Sequence, residues 1–170
     1  MSKWNVMEFS SIYNVRKMTE SDLSQICRLM EENEQYYQYC GKSYSMEDVR
    51  NDLYITPPGK TQEDKYYVGF FDGEILTAVM DLIDGYPQDS IAYIGFFMMN
   101  KAYQGCGKGT EIIREICEFL KCKGMQKVRL GIDKENPQSN HFWKKNGFHS
   151  IYEVEQDVGT IVVAERMLEM

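Results

Sequence analysis

The sequence predicts a single mixed α/β (α+β) domain: a twisted, mostly antiparallel sheet of about seven strands flanked by about four helices. Three observations carry that prediction. β-rich runs and amphipathic helical runs follow one another in the order β-α-α-β-β-β-α-β-α-β-β. Two of the β-rich runs are joined by Asp72-Gly73, a strong hairpin signal. No repeat, linker or low-complexity tract breaks the pattern, and 170 residues suit one domain, 1–170, large enough to bury a core.

The elements follow in order. IYNVRKM (12–18) alternates as a first strand. Thr19 then reads as an N-cap, with Asp22 three residues on in a capping-box arrangement. Leu23, Ile26, Cys27 and Met30 make one apolar face of the first helix. The segment 31–44 loses that face and mixes acids with tyrosines. Ser45 caps a short second helix carrying Met46, Val49 and Leu53, which Pro57-Pro58-Gly59 ends. KYYVGFF (65–71) and EILTAVMDLID (74–84) form the hairpin, and GYPQDS (85–90) is a loop. IAYIGFFMM (91–99) is too apolar to have a wet face, which makes it a central strand.

In the third helix Ile112, Ile113, Ile116, Cys117, Phe119 and Leu120 form the apolar face. Glu111, Arg114, Glu115, Glu118 and Lys121 cover the other. Gly124 fits the position just past its end, with Lys121 and Lys123 at the negative pole of the dipole. KVRLGID (127–133) alternates as a strand. Asn136 is an N-cap followed by Pro137 at the first position of a fourth, short helix that runs to Gly147. GFHSIYEVEQ and VGTIVVAERML close the chain as two strands.

The formal net charge of −7 argues against nonspecific nucleic-acid binding, which runs on excess Lys and Arg. It suits a cationic acceptor, as it suits soluble proteins generally. The cysteines Cys27, Cys40, Cys106, Cys117 and Cys122 are odd in number and include no CxxC pair. They read as reduced thiols of a cytosolic chain, not as a disulfide framework or a zinc site. With His141 and His149 the only histidines, a His-rich metal site is not expected. No apolar run approaches the roughly 20 residues of a membrane span. MSKWNVMEFS lacks the apolar core of a signal peptide. The expectation is a cytoplasmic protein with no metal and no nucleic-acid or membrane partner.

Gln104-Gly105-Cys106-Gly107-Lys108-Gly109 lies between a strand and a helix. Glycine lets backbone approach a ligand closely, and a helix N-terminus offers unpaired N–H groups and partial positive charge. Lys108 adds a cation, so a pyrophosphate would fit; the alternative is a glycine-rich connector without a ligand. Neither standard phosphate motif is met. The chain has no GxxxxGK[ST], and Thr110 stands where GxGxxG needs its third glycine.

The stretch 104–109 resembles the Q/R-x-x-G-x-G/A motif of the GNAT superfamily of acyl-CoA-dependent N-acetyltransferases. Residues 136–148, from Asn136 through Ser139, Phe142 and Trp143 to Gly147-Phe148, resemble that family's N-x-x-(small)-x-x-F-Y-x-x-x-G-F segment. The element order agrees over nearly the whole chain. The resemblance implies a GNAT-like fold with acetyl-CoA as cosubstrate and no metal. It implies that the strand 91–99 splays away from 127–133, with the pantetheine arm in the gap. The backbone of Phe97, Met98 and Met99 would pair with that arm, and the N–H at the strand's end, that of Met99, would polarise the thioester carbonyl. Backbone N–H groups of Gln104, Gly105, Cys106, Gly107, Lys108, Gly109 and Thr110 would hold the pyrophosphate. Asn136 matches the asparagine that touches the pantetheine, with Ser139 and Asn140 nearby.

The implied chemistry is direct transfer of an acetyl group to a neutral primary amine of a small molecule or a peptide in a ternary complex. A base or water chain takes the amine's proton. Where the family often has a tyrosine acid, this chain has Trp143, whose indole N–H is no practical acid. Trp143 is then either a CoA contact or a packing residue. Tyr103, Tyr93 and Tyr152 are alternative hydroxyls, and water is another source of the proton. Asp81 is a candidate base and Asp84 a second, each to be weighed against a plain loop or edge acid, while Asp133 caps a turn. Cys106 beside a helix N-terminus would have a lowered thiol pKa, but direct transfer makes it a backbone contributor. Lys108 is either a phosphate contact or an exposed charge. The acceptor side falls to 31–60 and the 85–90 loop, with Glu31, Glu32, Glu34, Tyr36, Tyr37 and Tyr39 set against a merely solvated acidic face. A homodimer is common in the family, and 13% aromatic content would supply an interface. The rival readings are a non-catalytic acyl-CoA-binding or sensor domain of the same fold and, further off, a nucleotide-phosphate module.

Overall fold

A computed structural model describes residues 3–33, 45–157 and 159–168. Among these residues eleven α-helices and β-strands follow in the predicted order: β1 (Asn14–Lys17), α1 (Leu23–Glu31), α2 (Met46–Asp52), β2 (Lys65–Asp72), β3 (Ile75–Asp84), β4 (Ile91–Met99), α3 (Lys108–Cys122), β5 (Lys127–Asp133), α4 (Pro137–Lys145), β6 (His149–Gln156) and β7 (Gly159–Met167). One sheet joins the strands in the order β1-β2-β3-β4-β5-β7-β6. Every neighbouring pair is antiparallel except β4 and β5. A parallel pair needs a long crossover, and α3 supplies it.

Local chemistry sets the ends of the elements. The Asp22 carboxylate accepts from the Thr19 N–H at 2.8 Å and from two Arg16 guanidinium nitrogens at 2.9 and 2.8 Å. It therefore ties β1 to the entry of α1. The chain makes one 3-10 turn, Glu20–Asp22, before α1 begins, so the helix starts later than the Thr19 signal alone suggests. Ser45 caps α2 by accepting from the Asp48 N–H at 3.2 Å. Gly73 turns the β2–β3 hairpin at φ 61°, and Gly124 ends α3 at φ 86°, both conformations that favour glycine.

The helices cover both faces of the sheet. On one face Ile112, Ile113, Ile116, Cys117, Phe119 and Leu120 of α3 pack on Met80, Leu82, Ala92, Ile94, Val128 and Leu130, with Trp143 of α4 in the same core. On the other, Leu23, Ile26, Leu29 and Met30 of α1 join Val49 and Leu53 on Tyr67, Val79 and Met98. Two details depart from expectation. Met46 is exposed rather than part of the α2 face. β4 is central, but Gly95 is exposed and Phe96 and Phe97 are only half-buried, because its C-terminal half borders a gap.

Candidate active site

The gap arises where two strands part. β4 pairs with β5 from Ile91↔Lys127 to Ile94↔Leu130 and no further. Both strands continue: β4 stays on β3 as far as Met99↔Ala78, and β5 stays on β7 as far as Asp133↔Ile161. In the β3–β4 ladder Asp81 faces Phe96 and Leu82 faces Ile94, so Gly95 is the extra residue of a bulge. Bulges bend the strand that carries them, and this one sits where β4 leaves β5. The wedge belongs to a cleft of about 730 Å³.

Backbone direction at the end of β4 follows from one hydrogen bond. The Asn100 N–H donates to the Thr77 carbonyl at 2.7 Å, toward β3. Strand alternation then turns the N–H groups of Met99 and Phe97 to the other side, into the wedge. The Met99 carbonyl points the same way, accepting from Asn33 Nδ2 and Gln104 Nε2, each at 3.1 Å.

The glycine stretch closes one end of the cleft. Gly105 and Gly107 have φ of 78° and 81°, and a Cβ built on either meets nothing within 4 Å. Gly107 is the N-cap of α3 and no side chain caps that end, so the first-turn N–H groups of Lys108, Gly109 and Thr110 have no intrahelical acceptor. Gly109 answers a different need. A Cβ there would lie 3.0 Å from Phe142 Cε1, so glycine lets α3 approach α4 closely. Phe97, Met98, Met99, Gln104, Gly105, Gly107, Gly109, Thr110, Asn136, Ser139 and Trp143 all line the cleft.

Other candidates take other positions. Cys106 and Lys108 are not among the lining residues: the Cys106 thiol donates to the Tyr103 carbonyl at 3.3 Å, and Lys108 Nζ lies 5.9 Å from the Tyr103 ring. Asn140 is also outside the lining. Its Nδ2 is spent on the Asp133 and Asn136 carbonyls at 3.1 and 2.7 Å. The Asn136 side chain caps α4 by accepting from the Ser139 N–H at 3.2 Å. Trp143 packs edge-on against Phe97, Phe142 and Phe148 with centroids 5.8, 4.9 and 5.1 Å away. Tyr103 lines the cleft, but its hydroxyl donates to Asp72 at 3.3 Å. Tyr93 stacks edge-on against Tyr86, and Tyr152 stands exposed on the edge strand β6.

Asp81 lies on the α1/α2 face of the sheet, two residues along β3 from Val79 of that core. Lys65 Nζ donates to its Oδ2 at 2.8 Å, and the two side chains are only 2% and 13% exposed. Burial pushes the Asp81 carboxyl above the usual range, and Lys65 opposes it. Oδ1 is buried and has no hydrogen-bond partner among the described residues. A Cβ on Gly95 would sit 3.0 Å from Oδ2, so the bulge places the one residue without a side chain against this carboxylate. Asp84 lies further along β3 and pairs with Lys3 at 3.7 Å. Asp133 accepts from the Glu135 N–H at 3.0 Å, a turn cap as expected.

On the acceptor side Glu32 lines the cleft, Glu34, Tyr36, Tyr37, Tyr39 and Cys40 lie outside the described residues, and the 85–90 loop does not reach the cleft. Cys27, Cys106, Cys117 and Cys122 are free thiols. Among the described residues no group of His, Cys, Asp and Glu could hold a metal ion, and no helix is long and apolar enough to cross a membrane. Asn33, Lys101, His141 and Lys145 also line the cleft. Sequence reasoning missed Asn33 because a lone amide at a helix end belongs to no motif.

Comparison with known proteins bears on the family and the fold. The family model described as Acetyltransferase (GNAT) family matches residues 26–148. The uncharacterized N-acetyltransferase YobR of Bacillus subtilis (strain 168) is 31% identical over 99 residues, which is 57% of this chain and 36% of YobR. The chain thus matches little more than a third of that relative's length. An acetyltransferase from Thermus thermophilus superposes with a TM-score of 0.74 at 21% identity, covering 91% of this chain and 96% of that one. The PaiA N-acetyltransferase from Thermoplasma acidophilum, solved in complex with coenzyme A, gives a TM-score of 0.66 at 19% identity over 91% of this chain and 98% of that one. At these identities the structural likeness speaks for the fold.

Proposed function

The chain belongs to the acetyltransferase (GNAT) family, and on that premise we propose that it moves an acetyl group from acetyl-CoA to a primary amine of a small molecule or peptide, directly and in a ternary complex. One observation carries the reading: the wedge after Ile94↔Leu130, with the Met99 N–H turned into it and the uncapped N-terminus of α3 at one end.

In this reading the first-turn N–H groups of α3 and the open backbone at Gly105 and Gly107 hold the pyrophosphate. Acetyl-CoA supplies the activated acetyl group as a thioester. The Met99 N–H donates to the thioester oxygen, where negative charge builds as the amine attacks. The amine nitrogen forms the new bond to the carbonyl carbon, and the carbon–sulfur bond then breaks with its electron pair on the CoA thiolate. Asp81 takes the proton that the nitrogen sheds. Its raised affinity for a proton suits the task, and because Oδ1 is buried and Asp81 is not among the lining residues, the proton reaches it through water. Trp143 is a packing residue here, and water protonates the thiolate. The net charge of −7 and Glu32 on the cleft favour a cationic acceptor.

The test is calorimetric titration of acetyl-CoA against the wild type and Gly107→Glu, followed by thiol release across an amine panel. Gly107→Glu adds a carboxylate where this reading puts the pyrophosphate, at a φ of 81° that disfavours any residue but glycine. Binding that vanishes in a folded variant supports the cradle, and no binding by the wild type overturns it. Binding without thiol release for any amine would favour the second reading, a non-catalytic acyl-CoA sensor, for which the missing hydroxyl at Trp143 speaks.

A further inference from the structure

We propose that Asn33 is a positioning residue for the acetyl transfer described above, on which this inference rests: its carboxamide fixes the direction of the Met99 N–H. Asn33 follows the last turn of α1 and lines the cleft. Its Nδ2 donates to the Leu29 carbonyl at 2.8 Å and to the Met99 carbonyl at 3.1 Å. Its Oδ1 accepts from Gln104 Nε2 at 2.5 Å, and that same nitrogen donates to the Met99 carbonyl at 3.1 Å. Asn33, Gln104 and the end of β4 therefore form a closed triangle of hydrogen bonds.

The chemistry of the triangle demands an amide. A carboxamide offers two donors and an acceptor, and this one spends both kinds. Two carbonyls on one side and an amide N–H on the other settle which end of Asn33 faces which. An aspartate keeps the acceptor for Gln104 but turns an oxygen toward the Met99 carbonyl. A leucine fills the space and makes none of the bonds. The Met99 carbonyl and N–H flank the same Cα, so holding the oxygen from two directions limits rotation of the N–H that points into the wedge. Gln104 also opens the glycine stretch, so one side chain just past α1 joins the donor of β4 to the loop assigned to the pyrophosphate. Errors of about 1 Å in such placement cost on the order of a hundredfold in rate.

The experiment uses the full chain as wild type, Asn33→Asp, Asn33→Leu, Gln104→Leu and the Asn33→Leu/Gln104→Leu double variant. It measures acetyl-CoA affinity by calorimetry, kcat with an accepted amine, melting temperature, and the carbonyl-carbon resonance of Met99. Expected are a fall in kcat of about tenfold to a hundredfold for each Asn33 variant, affinity within about threefold, and a displaced Met99 resonance. The double variant should be no slower than the worse single one, because both amides serve one carbonyl. Wild-type kcat in either Asn33 variant, or a kcat loss with an unmoved Met99 resonance, overturns the proposal. If Asn33→Leu does not fold, Asn33→Asp carries the same test. A wild type that fails to bind acetyl-CoA overturns the function itself and this inference with it. A wild type that turns over beside indifferent variants overturns this inference alone.

Discussion

Asp81 shows at the scale of one residue how burial and a partner pull in opposite directions. Desolvation favours its neutral form, and the Lys65 ammonium at 2.8 Å favours the carboxylate. Desolvation dominates, so the folded pKa lies above the ordinary 3.8. The sign of the linkage follows. The native state holds this proton more tightly than the unfolded chain does, so the stability it contributes is complete below the unfolded pKa and is lost as pH rises through the folded one. In the proposed role of Asp81 as the base, activity runs the other way, because a base must be deprotonated. The rate should fall as pH drops through the raised Asp81 pKa, and Asp81→Asn should remove that limb. The same variant should lower kcat about a hundredfold or more with acetyl-CoA affinity unchanged, the range of a lost general base. A kcat within a few fold of wild type would strip Asp81 of the role. Trp143 is the contrasting case. Three aromatic rings surround it and it is 8% exposed, so Trp143→Phe should leave kcat within about threefold, while Trp143→Ala should lose about 3–5 kcal/mol in a denaturant melt.

At the scale of elements, the parts legible in the sequence are those whose causes are local. α3 could be read because its apolar residues recur at helical spacing, and the β2–β3 hairpin because Asp72-Gly73 joins two β-rich runs. What the periodicity of IAYIGFFMM could not tell is where β4 stops pairing with β5. That depends on a bulge shared with β3 and on the path of a strand some thirty residues away. The glycines made one end of the cleft visible, yet Asn33 stayed hidden because its partner Met99 is 66 residues away, and the Lys65–Asp81 pair because no motif marks a diagonal contact across a hairpin. Two predictions belong here. Asp22 joins β1 to α1 and is held below the usual carboxylate range, chiefly by the Arg16 guanidinium and against its own burial. Its stabilisation is therefore present above the unfolded pKa and lost as pH falls through the folded one. Acid unfolding should show a lower midpoint pH for the wild type than a reference without this pull, and Asp22→Asn should lose stability at neutral pH while flattening the acid limb. Gly109→Ala should cost about 1–3 kcal/mol, because its Cβ would meet Phe142 Cε1 at 3.0 Å between two packed helices.

At the scale of the whole molecule the proposed donor and base lie on different parts of the sheet. The glycine stretch and α4 line the cleft on the α3/α4 side, while Asp81 lies on the α1/α2 face, against Gly95 where β4 parts from β5. In the proposed reaction the donor and the amine must be present together, because there the Met99 N–H serves the thioester while Asp81 serves the amine. A two-step route through an acyl-enzyme would need a nucleophile in the cleft. Cys106 is the thiol within the glycine stretch, but it is exposed, donates to the Tyr103 carbonyl, and is not among the lining residues. Initial velocities measured over a grid of acetyl-CoA and amine concentrations should therefore give intersecting lines in the double-reciprocal plot, and Cys106→Ala should keep kcat within about twofold of wild type, since it removes no group that touches the reacting atoms. Parallel lines, or an acetyl group found on Cys106 by mass spectrometry after mixing with acetyl-CoA alone, would show that the two substrates need not meet. The division of labour between the two faces of the sheet would then have to be abandoned.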